Sequence, residues 1–537
     1  MLFGWAQEYN NVDKVKLDTD VLRDNTINSV FQEEISKSAV MSLPYPIIFI
    51  HGLNGTGNSW QGLCSFYNTH CGWSFGGEIE FCLEMYDSPG TIQDICDINQ
   101  DVYCFTSSVG SHDYYRIEFD CTGSGNCHSG SATPNVHNWN SNQSAVIKQG
   151  KAIGIAIDKV LNATGKEKVI LVGHSMGGLA AREYIQNSSH WLTSSHRVAK
   201  LVTSGTPHRG SDYTGFGSGV FQHYDERSEA VRDLRYFYNV SLEHGAYLYG
   251  NNIVESDLFI KNGLWNYRNV DVNCNGQEGE LITSGLNDKY MPTDLDLACI
   301  VGDEDLIVSS TSSDLRNVYN YLPRLELMTC NDCSHSTVSF SETCLLCTND
   351  IEPKYRTFKA LDEPDYLDLA YKVNVGGGWY DGYLTYQDVN HPISANSDDD
   401  TYYFYNNNLS DILIYITDLP SNSSLRVYNS NSSTAFPIAN SSSNSGTISL
   451  NLNNASSGNY YMKITTYSPY GINDSPWDYA YKFYISSSII SSIHESSLRE
   501  RTLIKKIDLL GRETNETNQN LFYIYDDGTV EKRIIIE

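Results

Sequence analysis

Apolar and polar positions change rhythm several times along the chain. After a mixed polar stretch, Pro46-Ile-Ile-Phe-Ile50 is an unbroken apolar run stopped by His51-Gly52. That is the pattern of a strand covered on both faces in a parallel sheet. Residues 144–163 space their apolar side chains at helical intervals, and Gly165 follows as a helix stop. Lys168-Val-Ile-Leu-Val172 predicts a second buried strand, residues 177–186 a helix, and Val198-Ala-Lys-Leu-Val202 a third strand. Strands alternating with helices imply a mostly parallel sheet with crossover helices. From 398 the texture becomes short alternating runs such as Thr401–Tyr405, Ile412–Thr417, Ser424–Tyr428 and Asn459–Ile464, parted by Ser/Asn tracts. These predict a small β-sandwich.

The rhythm divides the chain as follows. Residues 1–6 read as the tail of a signal peptide, since a few apolar residues and Ala6 precede polar Gln7-Glu8. Residues 7–44 form an N-terminal extension and 45–349 a catalytic domain of the α/β class. Within that domain, 60–140 is a cysteine-rich insertion and 211–268, rich in Tyr, Phe, Gly and Trp, is a candidate lid. Residues 350–397 are a connector, 398–485 the sandwich, 486–500 a Ser-rich linker and 501–537 a short β-rich unit.

Charge narrows the function. With 36 basic against 65 acidic residues the net charge is −29, which argues against a nucleic-acid partner, whose phosphates call for a basic face. No apolar run reaches the ~18 residues of a membrane span. Thirteen cysteines, seven of them between Cys64 and Cys127 in loop-like sequence, point to disulfides in an oxidising compartment.

Gly173-His-Ser-Met-Gly177 sits between a buried strand and an amphipathic helix. A serine hydroxyl is a weak nucleophile unless a sharp strand-to-helix turn presents it to a base, and such a turn needs glycines beside it. This makes Ser175 the candidate nucleophile, with Gly173 and Gly177 shaping its elbow. An oxyanion needs two backbone N–H donors. Met176, opening the helix, supplies one, and Leu53, in the turn His51-Gly-Leu-Asn-Gly55, the other. His51 on that turn reads as structural.

Ile50-His-Gly-Leu-Asn-Gly55, Gly173-His-Ser-Met-Gly-Gly-Leu-Ala-Ala-Arg182 and Thr203-Ser-Gly-Thr-Pro-His-Arg-Gly-Ser211 resemble stretches of bacterial lipases and esterases. The resemblance covers roughly residues 45–345. It implies the α/β-hydrolase fold, a mostly parallel sheet flanked by helices, carrying Ser, Asp and His in that order. Lipases of this kind show Asp-x-x-Val before small hydroxyl residues, which selects Asp305 in Ile300-Val-Gly-Asp-Glu-Asp-Leu-Ile-Val-Ser309, with Asp303 as its rival. His335 is the first histidine after Asp305 and is the candidate base; His208 comes too early in the order. The implied activity is cleavage of carboxylic esters, triacylglycerols among them, with an ester or lipid substrate and no required cofactor. The same triad also serves acyl transfer or amide cleavage, and a non-catalytic binding module on a hydrolase scaffold is a third reading.

Two metal patterns need weighing. Cys330-x-x-Cys333 and Cys344-x-x-Cys347 have zinc spacing in isolation but flank His335, where disulfides are expected instead. Asp271, Asn273 and Asn275 place oxygen side chains on alternate positions before Gly276, as the start of a calcium loop does, although position 12 would be Ile282. The competing reading is a turn stapled by Cys274, with Cys299 a candidate partner.

Residues 398–485 resemble the bacterial pre-peptidase C-terminal domain through Asp400-Thr-Tyr-Tyr-Phe404, Ser424-Leu-Arg-Val-Tyr428 and Ser457-Gly-Asn-Tyr-Tyr-Met-Lys-Ile464. Residues 501–537, with Ile507-Asp-Leu-Leu-Gly-Arg-Glu513, Leu521-Phe-Tyr-Ile-Tyr-Asp-Asp-Gly528 and Val530–Glu537, resemble the C-terminal sorting domain of the type IX secretion system of Bacteroidetes. That likeness implies the type IX machinery as a partner, and a secreted or surface-attached protein.

Overall fold

The computed structural model describes residues 41–53, 55–83, 98–99, 101–119, 143–191, 195–211, 229–235, 246–250, 252–254, 271–277, 279–322, 324–331, 333–335, 351–383, 397–467, 480–489, 503–508, 512–514, 520–525 and 530–534. The expected signal-peptide tail, most of the N-terminal extension, of the candidate lid and of the linker, and Cys96, Cys121, Cys127, Cys344 and Cys347 lie outside them. The chain divides into two compact units, Met1–Ser488 and Ile489–Glu537. Among the described residues no helix is long and apolar enough to cross a membrane.

The first unit is built on an eight-stranded sheet. Its strands are β1 (Ile47–Ile50), β2 (Phe75–Leu83), β3 (Val102–Cys104), β4 (Tyr114–Glu118), β5 (Val169–His174), β6 (Val198–Ser204), β7 (Asp296–Gly302) and β8 (Glu326–Cys330). They lie in the order β8-β7-β6-β5-β1-β4-β2-β3, and every neighbouring pair is parallel except β2 with β3. This is the α/β-hydrolase fold, a mainly parallel sheet with helices on its faces.

The reason for the unbroken apolar runs is visible in the two cores. Ile48 and Ile50 of β1, with Val169 and Leu171 of β5, pack into one core. It also holds the apolar faces of α2 (Val146–Thr164) and α3 (Met176–Gln186). The alternate residues Ile47, Phe49, Ile170 and Val172 point into the other, with α1 (Gln61–Cys71) and α4 (Ile351–Ala360). Helix α2 stops where the sequence places its glycine. Gly165 takes a left-handed φ of 68° and its N–H bonds the Leu161 carbonyl at 2.9 Å.

The second core does not end at the helices. It continues into two further five-stranded sheets, so the β-sandwich and the hydrolase sheet share one hydrophobic interior. The sandwich strands are β9 (Tyr371–Lys372), β10 (Trp379–Tyr383), β11 (Ser397–Asn406), β12 (Ser410–Thr417), β13 (Ser423–Tyr428), β14 (Ala439–Ser443), β15 (Ile448–Ala455), β16 (Gly458–Tyr467) and β17 (Ala480–Ile489). One sheet runs β9-β11-β16-β13-β14; the other runs β10-β17-β12-β15 and gains Met41–Ser42 at its β10 edge.

Residues 350–397, set down from sequence as a connector, therefore supply α4, β9 and β10. Phe358, Tyr371, Tyr380 and Tyr383 are all buried at this seam, and side chains of that size contribute about 1.5–3 kcal/mol each when taken out of water. Polar contacts stitch the same seam. Trp73 Nε1–H donates to Tyr383 Oη at 3.0 Å, and the Lys372 amide donates to Tyr45 Oη at 3.0 Å. Buried Lys200 donates to the Asp362 carbonyl at 2.7 Å and pairs with Asp296 at 2.9 Å.

The described cysteines follow the expected disulfides in part. Cys330 and Cys333 are bonded to each other and Cys274 is disulfide-bonded. Cys64, Cys71, Cys104 and Cys299 are free thiols. Cys299, the suggested partner of Cys274, instead lies on β7 and accepts from Thr203 Oγ1 at 3.2 Å. Burial pushes the Cys64 and Cys71 thiols up to about 12 and that of Cys299 to about 11. They pack as small apolar groups rather than as reactive ones.

The second unit, described by itself, is an antiparallel sheet of β18 (Leu503–Ile507), β19 (Asn520–Tyr525) and β20 (Val530–Ile534). The Asp508 carboxylate accepts from the Arg512 amide at 3.0 Å and from its Nε at 2.8 Å.

Candidate active site

Strand β5 ends at His174 and helix α3 begins at Met176, so one residue must reverse the chain. Ser175 does so with φ 53° and ψ −128°, a region non-glycine residues rarely occupy. Its amide donates to the Ser204 carbonyl at 2.8 Å, which pins the turn to β6. Glycine is required next to it. A Cβ on Gly177 would lie 2.5 Å from the His51 carbonyl oxygen, and one on Gly52 would lie 2.7 Å from Ser175 Cβ.

The sheet brings the three predicted polar residues together from distant parts of the chain. Asp305 follows β7 and His335 follows β8, at the same edge of the sheet as the elbow. His335 Nδ1 lies 2.7 Å from Asp305 Oδ2, and its Nε2 lies 2.8 Å from Ser175 Oγ. Exposure of the three is 7% for Ser175, 8% for Asp305 and 7% for His335. A relay this dry strengthens each hydrogen bond along it.

Asp305 is held from behind. Its Oδ1 accepts the Ile307 and Val308 amides at 2.9 and 2.8 Å, which fixes the carboxylate plane and leaves Oδ2 for the imidazole. Asp303, the rival from sequence, serves the backbone instead: its Oδ1 accepts the Cys333 amide at 3.3 Å. The Asp303 and Glu304 amides in turn donate to the Cys330 and Cys333 carbonyls. The Cys330–Cys333 disulfide thus braces the joint between the acid and base loops, and these two sulfurs are unavailable to zinc.

Met176 is the first residue of α3, where the N–H has no partner within the helix. Leu53 lies three residues beyond the end of β1, on the loop against which the Ser175 Cβ packs. His51 shapes this loop. It accepts the Phe119 amide at Nε2 (3.2 Å) and lies 2.9 Å from the Gly52 carbonyl at Nδ1, a structural part as expected. His208 is also structural, bonded to Arg182 and Thr203. Burial and the Arg182 guanidinium hold its pKa well below the usual histidine range.

Asp271, Asn273 and Asn275 form a separate loop. Asp271 accepts the Asn275 and Gly276 amides at 3.2 and 2.8 Å, Asn273 Oδ1 accepts the Asn275 amide, and Asn275 Oδ1 accepts the Gln277 amide. Both asparagine NH2 groups donate to Glu280. These oxygens accept amides of the loop's own backbone.

His174 is the residue that sequence reasoning passed over. Its Nε2 lies 3.0 Å from the His335 carbonyl oxygen. Only the variable position inside the Gly-x-Ser-x-Gly pattern could have signalled it, because its partner stands 161 residues away.

A strand-elbow-helix nucleophile, an acid after β7 and a base after β8 are the equipment of a serine-dependent α/β hydrolase. Residues 45–227 match the family model described as the alpha/beta hydrolase fold. Triacylglycerol lipases of Pseudarthrobacter phenanthrenivorans and Burkholderia plantarii are each 40% identical to this chain over 74 residues. That stretch is 14% of this chain but only 21% and 19% of theirs, well under two thirds of either relative. A solved gene product from Listeria innocua is similar over 60% of this chain and 94% of its own, at 14% identity and a TM-score of 0.32.

Proposed function

We propose that the protein is an exported serine hydrolase that cleaves carboxylic esters, lipids among them, through an acyl-enzyme on Ser175. The observation that carries this reading is the unbroken relay from Asp305 through His335 to Ser175 Oγ, at 2.7 and 2.8 Å. Oγ attacks the ester carbonyl as His335 Nε2 takes its proton, and Asp305 stabilises the resulting imidazolium. The Leu53 and Met176 amides receive the oxyanion; removing one such donor typically costs about 10²–10³ in kcat. The protonated His335 then returns its proton to the leaving alkoxide, and water activated by the same base releases the acid. The triacylglycerol lipase relatives support an ester rather than an amide as substrate.

The likeness of residues 501–537 to type IX sorting domains supports export, with the type IX machinery as a partner and the mature enzyme outside the cell or on its surface. No step uses a metal, so chelator-treated enzyme should keep its turnover. A fluorophosphonate probe, with p-nitrophenyl esters of graded acyl length, tests the whole reading. Labelling and turnover are expected in the wild type and absent in Ser175→Ala. Labelling that survives that substitution would overturn it.

A further inference from the structure

His174 closes β5 directly before the nucleophile and is 4% exposed. Its Nε2 stands 3.0 Å from the backbone oxygen of His335. A carbonyl can only accept, so Nε2 carries the hydrogen and donates it. The two imidazole rings lie 4.9 Å apart and the Trp60 indole meets the His174 ring edge-on at 6.5 Å, which leaves little freedom to rotate. On the opposite side of the ring, a Cβ built on Gly52 would fall 3.3 Å from His174 Nδ1, so the loop that carries Leu53 passes against it. One side chain therefore touches the backbone of the base and the loop of the oxyanion donors, and is bonded in sequence to the nucleophile. Burial, with His335 beside it, holds its pKa well below the ordinary histidine range, so the ring stays neutral.

The base needs such a grip. His335 stands five residues past the end of β8 and is not itself part of the sheet. Its side chain is tied to Asp305 and Ser175, but those bonds must rearrange during turnover, while a backbone tether need not. We propose that His174 is a positioning residue for the reaction: its Nε2–H fixes the backbone of the catalytic base and couples it to the nucleophile elbow. This rests on the serine-hydrolase reading above. A misplacement of about 1 Å costs about 10²-fold in rate, which sets the scale of its effect.

The test compares His174→Leu, which fills the space without a donor, with His174→Gln, whose amide can donate. For His174→Leu, kcat for p-nitrophenyl butyrate should fall about 10- to 100-fold with KM within about twofold, and fluorophosphonate labelling should slow in parallel. The downfield proton resonance of the His335–Asp305 hydrogen bond should broaden or shift. His174→Gln should recover most of the loss. Wild-type kcat in a folded His174→Leu protein would overturn the proposal, as would equal losses in both variants that merely follow the fall in Tm. Should His174→Leu not fold, imidazole nitrogen shifts of the wild type decide. A neutral Nε2–H tautomer throughout the pH range of activity supports the role; an Nδ1–H tautomer or a protonated ring refutes it. Ser175→Ala separates the two layers. If it stays active, the hydrolase reading fails; if it is dead while His174→Leu is unaffected, only the positioning role fails.

Discussion

Replacing Asp305 by asparagine exchanges one oxygen for an NH2 group in a side chain whose two oxygens do different work. Oδ1 accepts the Ile307 and Val308 amides, and Oδ2 faces His335 Nδ1 at 2.7 Å. The loop amides can only donate, so the carbonyl oxygen of the new side chain must stay with them and its NH2 must face the imidazole. Nδ1 then becomes an acceptor, the ring proton moves to Nε2, and that proton points at Ser175 Oγ. The base is blocked with the fold intact. Tautomer inversion of this kind lowers kcat by about 10⁴, or about 5.4 kcal/mol of transition-state stabilisation. Initial rates on p-nitrophenyl butyrate, normalised by titration with a fluorophosphonate, measure it. Asp303→Asn is the matched control, because Asp303 touches the Cys333 amide and not the ring; it should stay within about tenfold of wild type. An Asp305→Asn enzyme within tenfold of wild type, or a larger loss in Asp303→Asn, would refute the assignment of the acid.

Two further outcomes test the frame around the site. Gly177→Ala should both unfold the protein earlier and abolish labelling, because its Cβ would stand 2.5 and 2.6 Å from the His51 and Ile50 carbonyl oxygens; overpacking against backbone costs about 1–3 kcal/mol or more, read as a fall in Tm. The second concerns pH. At the seam between hydrolase sheet and sandwich, Asp362, Asp398 and Asp400 offer carboxylate oxygens within 4.8 Å of one another, with Glu363 beside them in sequence. Burial pushes Glu363 up to about 7 from 4.5 and holds Asp365 and Asp400 well above the usual carboxylate range. Groups that bind protons more tightly folded than unfolded support the fold below the unfolded value and lose that contribution as pH rises through the folded one. Tm should therefore decline from about pH 4.5 to about pH 7 at constant ionic strength, and Glu363→Gln should flatten the decline; a Tm that rises over this window would contradict it.

Much of the site was legible because its chemistry is local. Gly173, Ser175 and Gly177 can be read as an elbow from five residues, since the close approach that demands glycine lies within one turn. Asp305 was selectable from its neighbours, but the choice over Asp303 was not final in sequence. It depends on which carboxylate the β7–β8 register turns towards His335. The cysteines were legible only in part. Cys330 and Cys333 are paired as expected, whereas Cys64 and Cys299 are packed inside cores that sequence spacing does not reveal.

By itself, the sequence determined the strands, the helices and the residue types of a nucleophilic serine site, because hydrophobic rhythm and turn chemistry act over a few residues. Only the tertiary structure decided two other things. It joined the sandwich and residues 350–397 to the hydrolase sheet in one core, since burial depends on which faces meet. It also placed His174 against a carbonyl 161 residues away, because a hydrogen bond of that span exists only once the sheet has brought β5 and the end of β8 side by side.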